Sequence, residues 1–352
     1  MIEIAKGNLV EADAEALVNT VNCVGFMGKG IALQFKQAFP ANFRAYEAAC
    51  HAGQVVPGRM FTFDQGRLIN PRYIINFPTK RHWRGRSRLA DVRSGLKALV
   101  ADVRRLGVRS IAIPPLGCGL GGLNWGKVRP MIEQAFSELP EVHVLLFEPA
   151  GTPDAKAMPV RTARPRMTSA RALFIRLMDA YAALEYSRTL LELHKLAYFL
   201  QEAGEPLRLR YEAGHYGPYA TNLNKVLEIM EGHFIRGYGD QQKPDAEIEL
   251  LPGAVEEATN FLDGQTESLA RLERVARLIE GFETPYGMEL LATVHWVSHR
   301  GGPGAGAPAR SPEEAIAQIH TWNPRKQEVF RPGHIHTAWS QLLQQGWMRE
   351  WQ

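Results

Sequence analysis

The 352-residue sequence has few cysteines and no long apolar segment. Cys23, Cys50 and Cys118 make an odd count without C-x-x-C spacing, which argues against a disulfide framework and a zinc site and fits a reducing compartment. No run of about 18 apolar residues is present, so we expect no membrane-spanning helix. The N-terminal residues also lack the apolar stretch of a secretory signal peptide. We therefore expect a cytoplasmic protein that has no membrane partner.

The charged residues are distributed unevenly along the chain. Residues 1–150 carry 19 Lys+Arg and 12 Asp+Glu, whereas residues 168–352 carry 18 and 24. A basic N-terminal half suits an anionic ligand such as a dinucleotide or nucleic acid, and an acidic C-terminal half suits a basic protein partner. Charge alone leaves open a simpler interpretation, in which modest net charges only keep each half in solution.

Hydrophobic periodicity divides the chain into two predicted domains. Short β-rich runs alternate with helical patterns over residues 1–150, which is typical of an α/β sheet layered with helices. Residues 151–167 contain three prolines among polar and basic residues and are predicted to form a linker. Over residues 168–352, apolar residues recur at spacings of three and four, which predicts a mainly α-helical second domain.

Two glycine-containing loops follow predicted strands of the first domain. One spans residues 19–35, with Gly28 and Gly30 ahead of a helix, and the other spans residues 113–125, with Gly117, Gly119 and Gly121. Glycine allows the backbone to approach a ligand closely, and a helix N-terminus attracts phosphate. Either loop alone could be an ordinary tight turn. Together, at corresponding positions, they predict a clamp for the two phosphates of one diphosphate.

The segments KGNLVEADAEALVNTVNCVGFMGKGIALQF and PPLGCGLGGL resemble the two binding loops of a macrodomain. The resemblance covers about residues 1–150. It implies an α/β fold of three layers, with a mixed sheet between helices, that binds ADP-ribose. Within macrodomains the sequence is most similar to the ADP-ribosyl glycohydrolases that act through a lysine. Other outcomes within the same fold are hydrolysis of ADP-ribosylated protein and non-catalytic ADP-ribose binding.

The whole chain resembles the DarG family of antitoxins. These oppose DarT toxins, which attach ADP-ribose from NAD to thymidine in single-stranded DNA. The resemblance implies removal of ADP-ribose from that DNA, without a cofactor or metal, by residues 1–150. It also implies that residues 168–352 bind and neutralise the cognate toxin. A helix–turn–helix interpretation of the second domain is the alternative, and its acidic composition counts against DNA binding.

Position-by-position, the resemblance implies a set of site residues. Lys80, after the YIINF strand, corresponds to the catalytic lysine, and Asn22 to a residue that orients the distal ribose. Gly121 stands where human lysine-dependent relatives carry an aspartate, so a mechanism with a second acid there is unsupported. The implied ADP-ribose contacts are Asn8, Leu9, Gly28, Lys29, Gly30, Ile31, Thr79, Leu116, Gly117, Cys118, Gly119, Leu120 and Gly121.

Lys80 has two chemical roles open to it. Most lysines are solvated surface charges, so position alone would not mark it as catalytic. An amine whose pKa is lowered by desolvation could attack the anomeric carbon. A charged ammonium could instead stabilise the departing base.

An arginine-rich stretch, RHWRGRSR, follows Lys80. Arginine binds phosphate, while indole and imidazole rings can stack on unpaired bases. We therefore predict nucleic-acid contacts from Arg81, His82, Trp83 and Arg84. The alternative is a solvated basic loop with Trp83 packed into the core.

Overall fold

The computed structural model describes residues 1–149, 158–182, 189–238, 247–304 and 307–348. These residues form two units, and the chain passes from the first to the second between Ala163 and Arg164. That point lies in the range 151–167 that the sequence predicts as a linker. Residues 151–157 of the predicted linker lie outside the described residues. Residues 158–163 belong to the first unit, where the Arg161 backbone N–H donates to the Gln37 carbonyl at 2.8 Å.

The first unit contains a six-stranded mixed sheet, in the order β1-β6-β5-β2-β4-β3. All neighbouring strands are parallel except β3, which runs antiparallel to β4 at one edge. The predicted mixed sheet is therefore confirmed. The strands are β1 (Ile2–Ala5), β2 (Ala16–Val21), β3 (Phe61–Asp64), β4 (Tyr73–Pro78), β5 (Ser110–Ile113) and β6 (His143–Phe147).

Helices cover both faces of this sheet. Successive strand residues point to opposite sides, so the continuous apolar runs of the strands present apolar side chains to both layers of helices. Val18 and Ile75 belong to the core cluster formed with α3 and α4, whereas Leu17 and Ile74 belong to the cluster formed with α1. The three-layer macrodomain-type architecture is therefore confirmed. The helices are α1 (Gly30–Ala38), α2 (Pro40–His51), α3 (Leu89–Leu106) and α4 (Trp125–Phe136).

Three buried asparagines connect the layers beside β4. Asn76 accepts from Asn19 at 3.1 Å and donates to Asn42 at 2.7 Å and to the Phe61 carbonyl at 3.1 Å. All three asparagines are fully buried. Buried amides must be hydrogen-bonded, so this network fixes how β2, β3 and α2 sit around β4.

The second unit is mainly helical, as predicted. One core cluster joins helices from α5 to α13 and the segments between them. The helices are α5 (Ser169–Ala182), α6 (Leu190–Glu202), α7 (Leu223–Met230), α8 (Ala254–Leu262), α9 (Thr266–Ile279), α10 (Pro285–Arg300), α11 (Pro312–Trp322), α12 (Pro324–Val329) and α13 (Pro332–Gln344). Among the described residues, no helix is both long and apolar enough to cross a membrane.

Two short two-stranded sheets interrupt the helices of the second unit. They are β7 (Tyr211–Gly214) with β8 (Gly217–Ala220), and β9 (Ile235–Arg236) with β10 (Glu249–Leu250). The apolar spacing over residues 219–233 predicts a helix throughout, but α7 begins only at Leu223. Gly217 explains the difference, since its φ of +85° turns the chain into β8 where a side chain would be strained.

Candidate active site

The parallel strands bring the candidate residues to one edge of the sheet. Strands β1, β2, β4 and β5 all run in the same direction as β6, so their carboxyl ends share an edge. Asn8 follows β1, Asn22 follows β2, Lys80 follows β4 and the second glycine loop follows β5. Ligands of α/β sheets bind beyond this edge.

Asn22 organises the first loop. Its Oδ1 accepts the backbone N–H groups of Val24 at 2.9 Å and Phe26 at 3.3 Å, and its Nδ2 donates to the Phe26 carbonyl at 2.5 Å. The buried Tyr46 hydroxyl donates to the Asn22 carbonyl at 2.7 Å. The amide of Asn22 is thus engaged within the loop. This geometry gives it a structural role, and its contact with the distal ribose stays a prediction.

The first loop leads into the N-terminus of α1. Gly30 is the first residue of the helix and has a φ of +57°, while Lys29 precedes it in extended conformation. Partial burial lowers the pKa of Lys29. Gly28 lies against the Phe26 ring. A side chain at position 28 would not fit, since its Cβ would be 2.5 Å from Cε1 of that ring. Ile31 packs on the α1 core cluster.

The second loop is closed by its own backbone. Gly117, with a φ of +69°, accepts the N–H of Leu123 at 3.0 Å, and Gly119 accepts the N–H of Gly122 at 3.0 Å. A Cβ at Gly119 would meet no atom within 4 Å. The surface at Gly119 is therefore open to a ligand, as close approach by a phosphate requires.

Gly121 has no room for a side chain. A Cβ there would overlap the Gly117 carbonyl oxygen and Ser87 Oγ. Ser87 is buried, and its backbone N–H donates to the Gly121 carbonyl at 3.0 Å. An aspartate at position 121 would have to displace this backbone. Sequence reasoning missed Ser87, since a serine within an arginine-rich stretch gives no sign that it packs beneath the loop.

Lys80 lies between the two loops. Its Nζ donates to the carbonyl of Leu120 in the second loop. The Leu120 side chain in turn lies close to Gly30 of the first loop, where an added Cβ would be 3.5 Å from Leu120 Cδ1. On the other side, Cys23 Sγ donates to the Lys80 carbonyl at 3.3 Å. Partial burial lowers the pKa of Lys80, because desolvation penalises the charged ammonium. The structure thus brings Lys80 and both predicted phosphate loops together.

The remaining predicted ligand contacts include several core residues. Leu9 and Leu116 are buried in core clusters, so any ligand contact they make must involve backbone. The Thr79 backbone N–H donates to the Val21 carbonyl at 2.9 Å and holds the end of β4 against β2. Asn8 Oδ1 accepts the Val10 N–H at 3.2 Å and caps a short 3-10 helix.

Cys118 packs in the second loop. Its thiol donates to the Leu116 carbonyl at 3.5 Å, and its side chain lies against the α3–α4 core cluster. Burial raises the pKa of Cys118 to about 11. The thiol is therefore protonated at neutral pH, so Cys118 packs in the loop and is not activated as a nucleophile.

The arginine-rich stretch is exposed except at Ser87, and its residues are not equivalent. Arg81 forms a bidentate ion pair with Asp91 at 2.5 and 3.1 Å. Trp83 is 41% exposed, so it does not pack in the core. The Arg84 guanidinium lies 4.6 Å from the Trp83 ring centroid, and the His82 ring lies 5.4 Å from it. Arg84, His82 and Trp83 therefore form an exposed cluster next to Lys80 in sequence, while the charge of Arg81 is paired.

Comparison with known proteins gives matches along the whole chain. The Macro domain family model matches residues 18–132. A DNA ADP-ribosyl glycohydrolase of Thermus aquaticus is 48% identical over 355 aligned residues, covering 100% of this chain and 96% of the relative. The solved macrodomain of Thermus aquaticus DarG is 57% identical, with 42% of this chain and 99% of that chain covered and a TM-score of 0.41. A Thermosipho africanus DNA ADP-ribosyl transferase-DNA ADP-ribosyl glycohydrolase fusion protein is 30% identical over 163 residues, 42% of each chain.

Proposed function

This chain belongs to the DarG-type family of DNA ADP-ribosyl glycohydrolases, and we propose that it removes ADP-ribose from thymidine in single-stranded DNA. The observation that carries the proposal is the position of Lys80 between two glycine loops at the ligand-binding edge of the sheet. The name of the Thermus aquaticus relative supports DNA as the carrier of the modification. The exposed Trp83 and Arg84 support an unpaired, anionic substrate.

The two loops are proposed to hold the diphosphate of ADP-ribose. The first offers the N-terminus of α1 at Gly30, and the second offers an open backbone at Gly119. Backbone N–H groups and a helix N-terminus both stabilise phosphate charge. A diphosphate held there would place the adjoining distal ribose near Lys80, which lies between the loops.

We further propose that Lys80 acts as a nucleophile. The lowered pKa raises the fraction of neutral amine, which has the lone pair that attack requires. Nζ would bond to the anomeric carbon as the bond from that carbon to the thymine nitrogen breaks. The departing nitrogen takes the bond's electron pair and is protonated, while the attacking amine loses a proton. Water then adds to the anomeric carbon and the lysine nitrogen leaves, which yields ADP-ribose and free enzyme.

Substitution of Lys80 tests this assignment. We expect Lys80→Ala to lower the rate of ADP-ribose release by several orders of magnitude and to keep ADP-ribose affinity within a few-fold, as for an interaction made mainly in the transition state. Release from an ADP-ribosylated oligonucleotide and calorimetry with ADP-ribose measure the two quantities. Lys97→Ala, at an exposed position on α3, is the matched control. Near-normal release by a folded Lys80→Ala protein would show that another residue catalyses the reaction, whereas no release by the wild type would favour a non-catalytic ADP-ribose reader.

The carrier of the modification needs its own test. ADP-ribosylated single-stranded DNA and ADP-ribosylated protein would be supplied separately at matched ADP-ribose content. We expect release from the DNA to be the faster reaction, because the basic cluster at Trp83 and Arg84 suits a polyanion. Equal or faster release from protein would instead support the second candidate, a hydrolase of ADP-ribosylated protein.

The second unit is proposed to bind the cognate DarT-type toxin. Its acidic excess is concentrated in residues 247–283, which carry nine Asp+Glu and three Arg. Asp263 and Glu273 in this segment are exposed. A toxin that modifies DNA must offer a basic binding surface, and an acidic segment is complementary to it. The Thermosipho africanus fusion protein supports a link between transferase and hydrolase in this family.

A further inference from the structure

Phe26 joins the first glycine loop to the exposed aromatic cluster. Its ring centroid is 5.7 Å from that of Trp83, with 33° between the planes. Asn22 holds Phe26 by both its backbone N–H and its carbonyl. Gly28 makes room for the ring, since a Cβ there would be 2.5 Å from Cε1. These bonds therefore fix the backbone at Phe26, and the glycine at position 28 leaves space for its ring.

The exposed aromatic cluster also carries positive charge from arginines other than Arg81. The Arg81 guanidinium is paired with Asp91, but Arg84 lies over the Trp83 ring at 4.6 Å. Arg86 is exposed two residues further along. An aromatic surface bordered by guanidinium groups suits a nucleobase with its phosphates, because bases stack on aromatic rings and arginines bind the backbone.

We propose that Phe26 and Trp83 together form a stacking subsite for the unpaired base next to the modified nucleotide. This inference rests on the proposed function and extends it, since the reaction itself requires only ADP-ribose and the base that carries it. The subsite adjoins Lys80 through the backbone, because Cys23, three residues before Phe26, bonds to the carbonyls of Lys80 and Arg81. Stacking of the neighbouring base would hold the DNA strand so that the modified nucleotide reaches Lys80.

A role in packing alone would be met by any apolar residue at position 26. Phe26→Leu keeps an apolar side chain against Gly28 and removes the aromatic face, so it separates stacking from loop shape. Trp83→Leu is the matched variant on the other side of the subsite. Neither residue is among the predicted ADP-ribose contacts and leucine keeps apolar packing at both positions, so we expect both variants to bind ADP-ribose like the wild type.

The test compares oligonucleotides that differ only beside the modified thymidine. The wild type and both variants would be given a trinucleotide with normal neighbours, the same trinucleotide with an abasic site on the 5′ or 3′ side, and the modified mononucleoside. For the wild type, we expect kcat/KM to fall about 5- to 100-fold when the stacked neighbour is abasic. Phe26→Leu should lose most of that difference and should match the wild type on the mononucleoside.

Three results would overturn the subsite. The first is equal wild-type kcat/KM with and without the neighbouring base. The second is an abasic penalty that persists undiminished in both variants. The third is an equal loss by Phe26→Leu on every substrate together with weaker ADP-ribose binding, which would make Phe26 a loop-shaping residue. Failure of the proposed function looks different, since the wild type would then release no ADP-ribose from any DNA substrate. In that case, fluorescence anisotropy with unmodified and abasic oligonucleotides still measures whether Phe26 and Trp83 stack a base.

Discussion

At the residue scale, the charge state of Lys80 governs the proposed chemistry. Partial burial lowers its pKa from the ordinary value of 10.5, so the neutral amine becomes populated at lower pH than for an exposed lysine. If the neutral amine is the nucleophile, kcat/KM should rise with pH as the proton is lost, with the midpoint of the rise below pH 10.5. A pH–rate profile on a short oligonucleotide measures this. A rate that falls as the pH rises through the same range would show that the charged ammonium stabilises the departing base.

Gly121 and Gly119 lie in the same loop, and we predict contrasting effects of alanine at the two positions. Gly121→Ala should lower ADP-ribose affinity about tenfold or more and lower the melting temperature, because its Cβ has no space beside Gly117 and Ser87. Gly119→Ala should keep the wild-type melting temperature, since its Cβ points into open space. Calorimetry and thermal unfolding of both proteins check the pair. Wild-type affinity and stability in Gly121→Ala would mean that this loop accommodates a side chain, and an aspartate with it.

At the element scale, the buried asparagine network fixes the strand that presents Lys80. Asn76→Ala would remove the hydrogen-bond partner of Asn42 and Asn19 within the core. We expect the free energy of unfolding to fall by about 2–4 kcal/mol, since each buried amide left unpaired costs roughly 1–3 kcal/mol. Denaturant unfolding of the full chain provides the measurement. Asn124→Ala, at an exposed helix N-cap without a side-chain cap bond, is the control and should change stability little.

The elements that were predictable are those with strong local signals. Alternating β-rich and helical patterns, with glycine loops after two strands, lead to the layered sheet and to the edge where Lys80 lies. The roles of Ser87 and Phe26 were not predictable, because each depends on a contact with a distant or turn-forming glycine. The β7–β8 hairpin was missed for a related reason. Apolar spacing over residues 219–233 fits a helix and overlaps the end of β8, while the turn at Gly217 depends on a distant contact, since a Cβ there would be 2.6 Å from Thr293 Oγ1 in α10.

At the scale of the whole molecule, the two units differ in charge and in chemistry. The unit that contains Lys80 and the glycine loops is basic over residues 1–150, and the acidic excess lies in residues 247–283 of the other. If repair and toxin capture belong to separate units, each activity should be removable without the other. Full-chain Lys80→Ala should therefore bind a catalytically inactive DarT-type toxin as tightly as the wild type while releasing no ADP-ribose.

Reversing charge in the acidic segment should have the opposite effect. Asp263→Lys with Glu273→Lys should slow association with the toxin and make it less dependent on salt, because steering between opposite charges is screened as ionic strength rises. The same protein should release ADP-ribose from DNA at the wild-type rate. The matched control is Glu212→Lys with Glu328→Lys, two exposed acids outside the segment. Association rates of all three proteins would be measured at low and high salt. If both double substitutions slow association equally, residues 247–283 contribute only through the net charge of the chain. If Asp263→Lys with Glu273→Lys leaves association unchanged, the toxin-binding surface lies elsewhere in the chain.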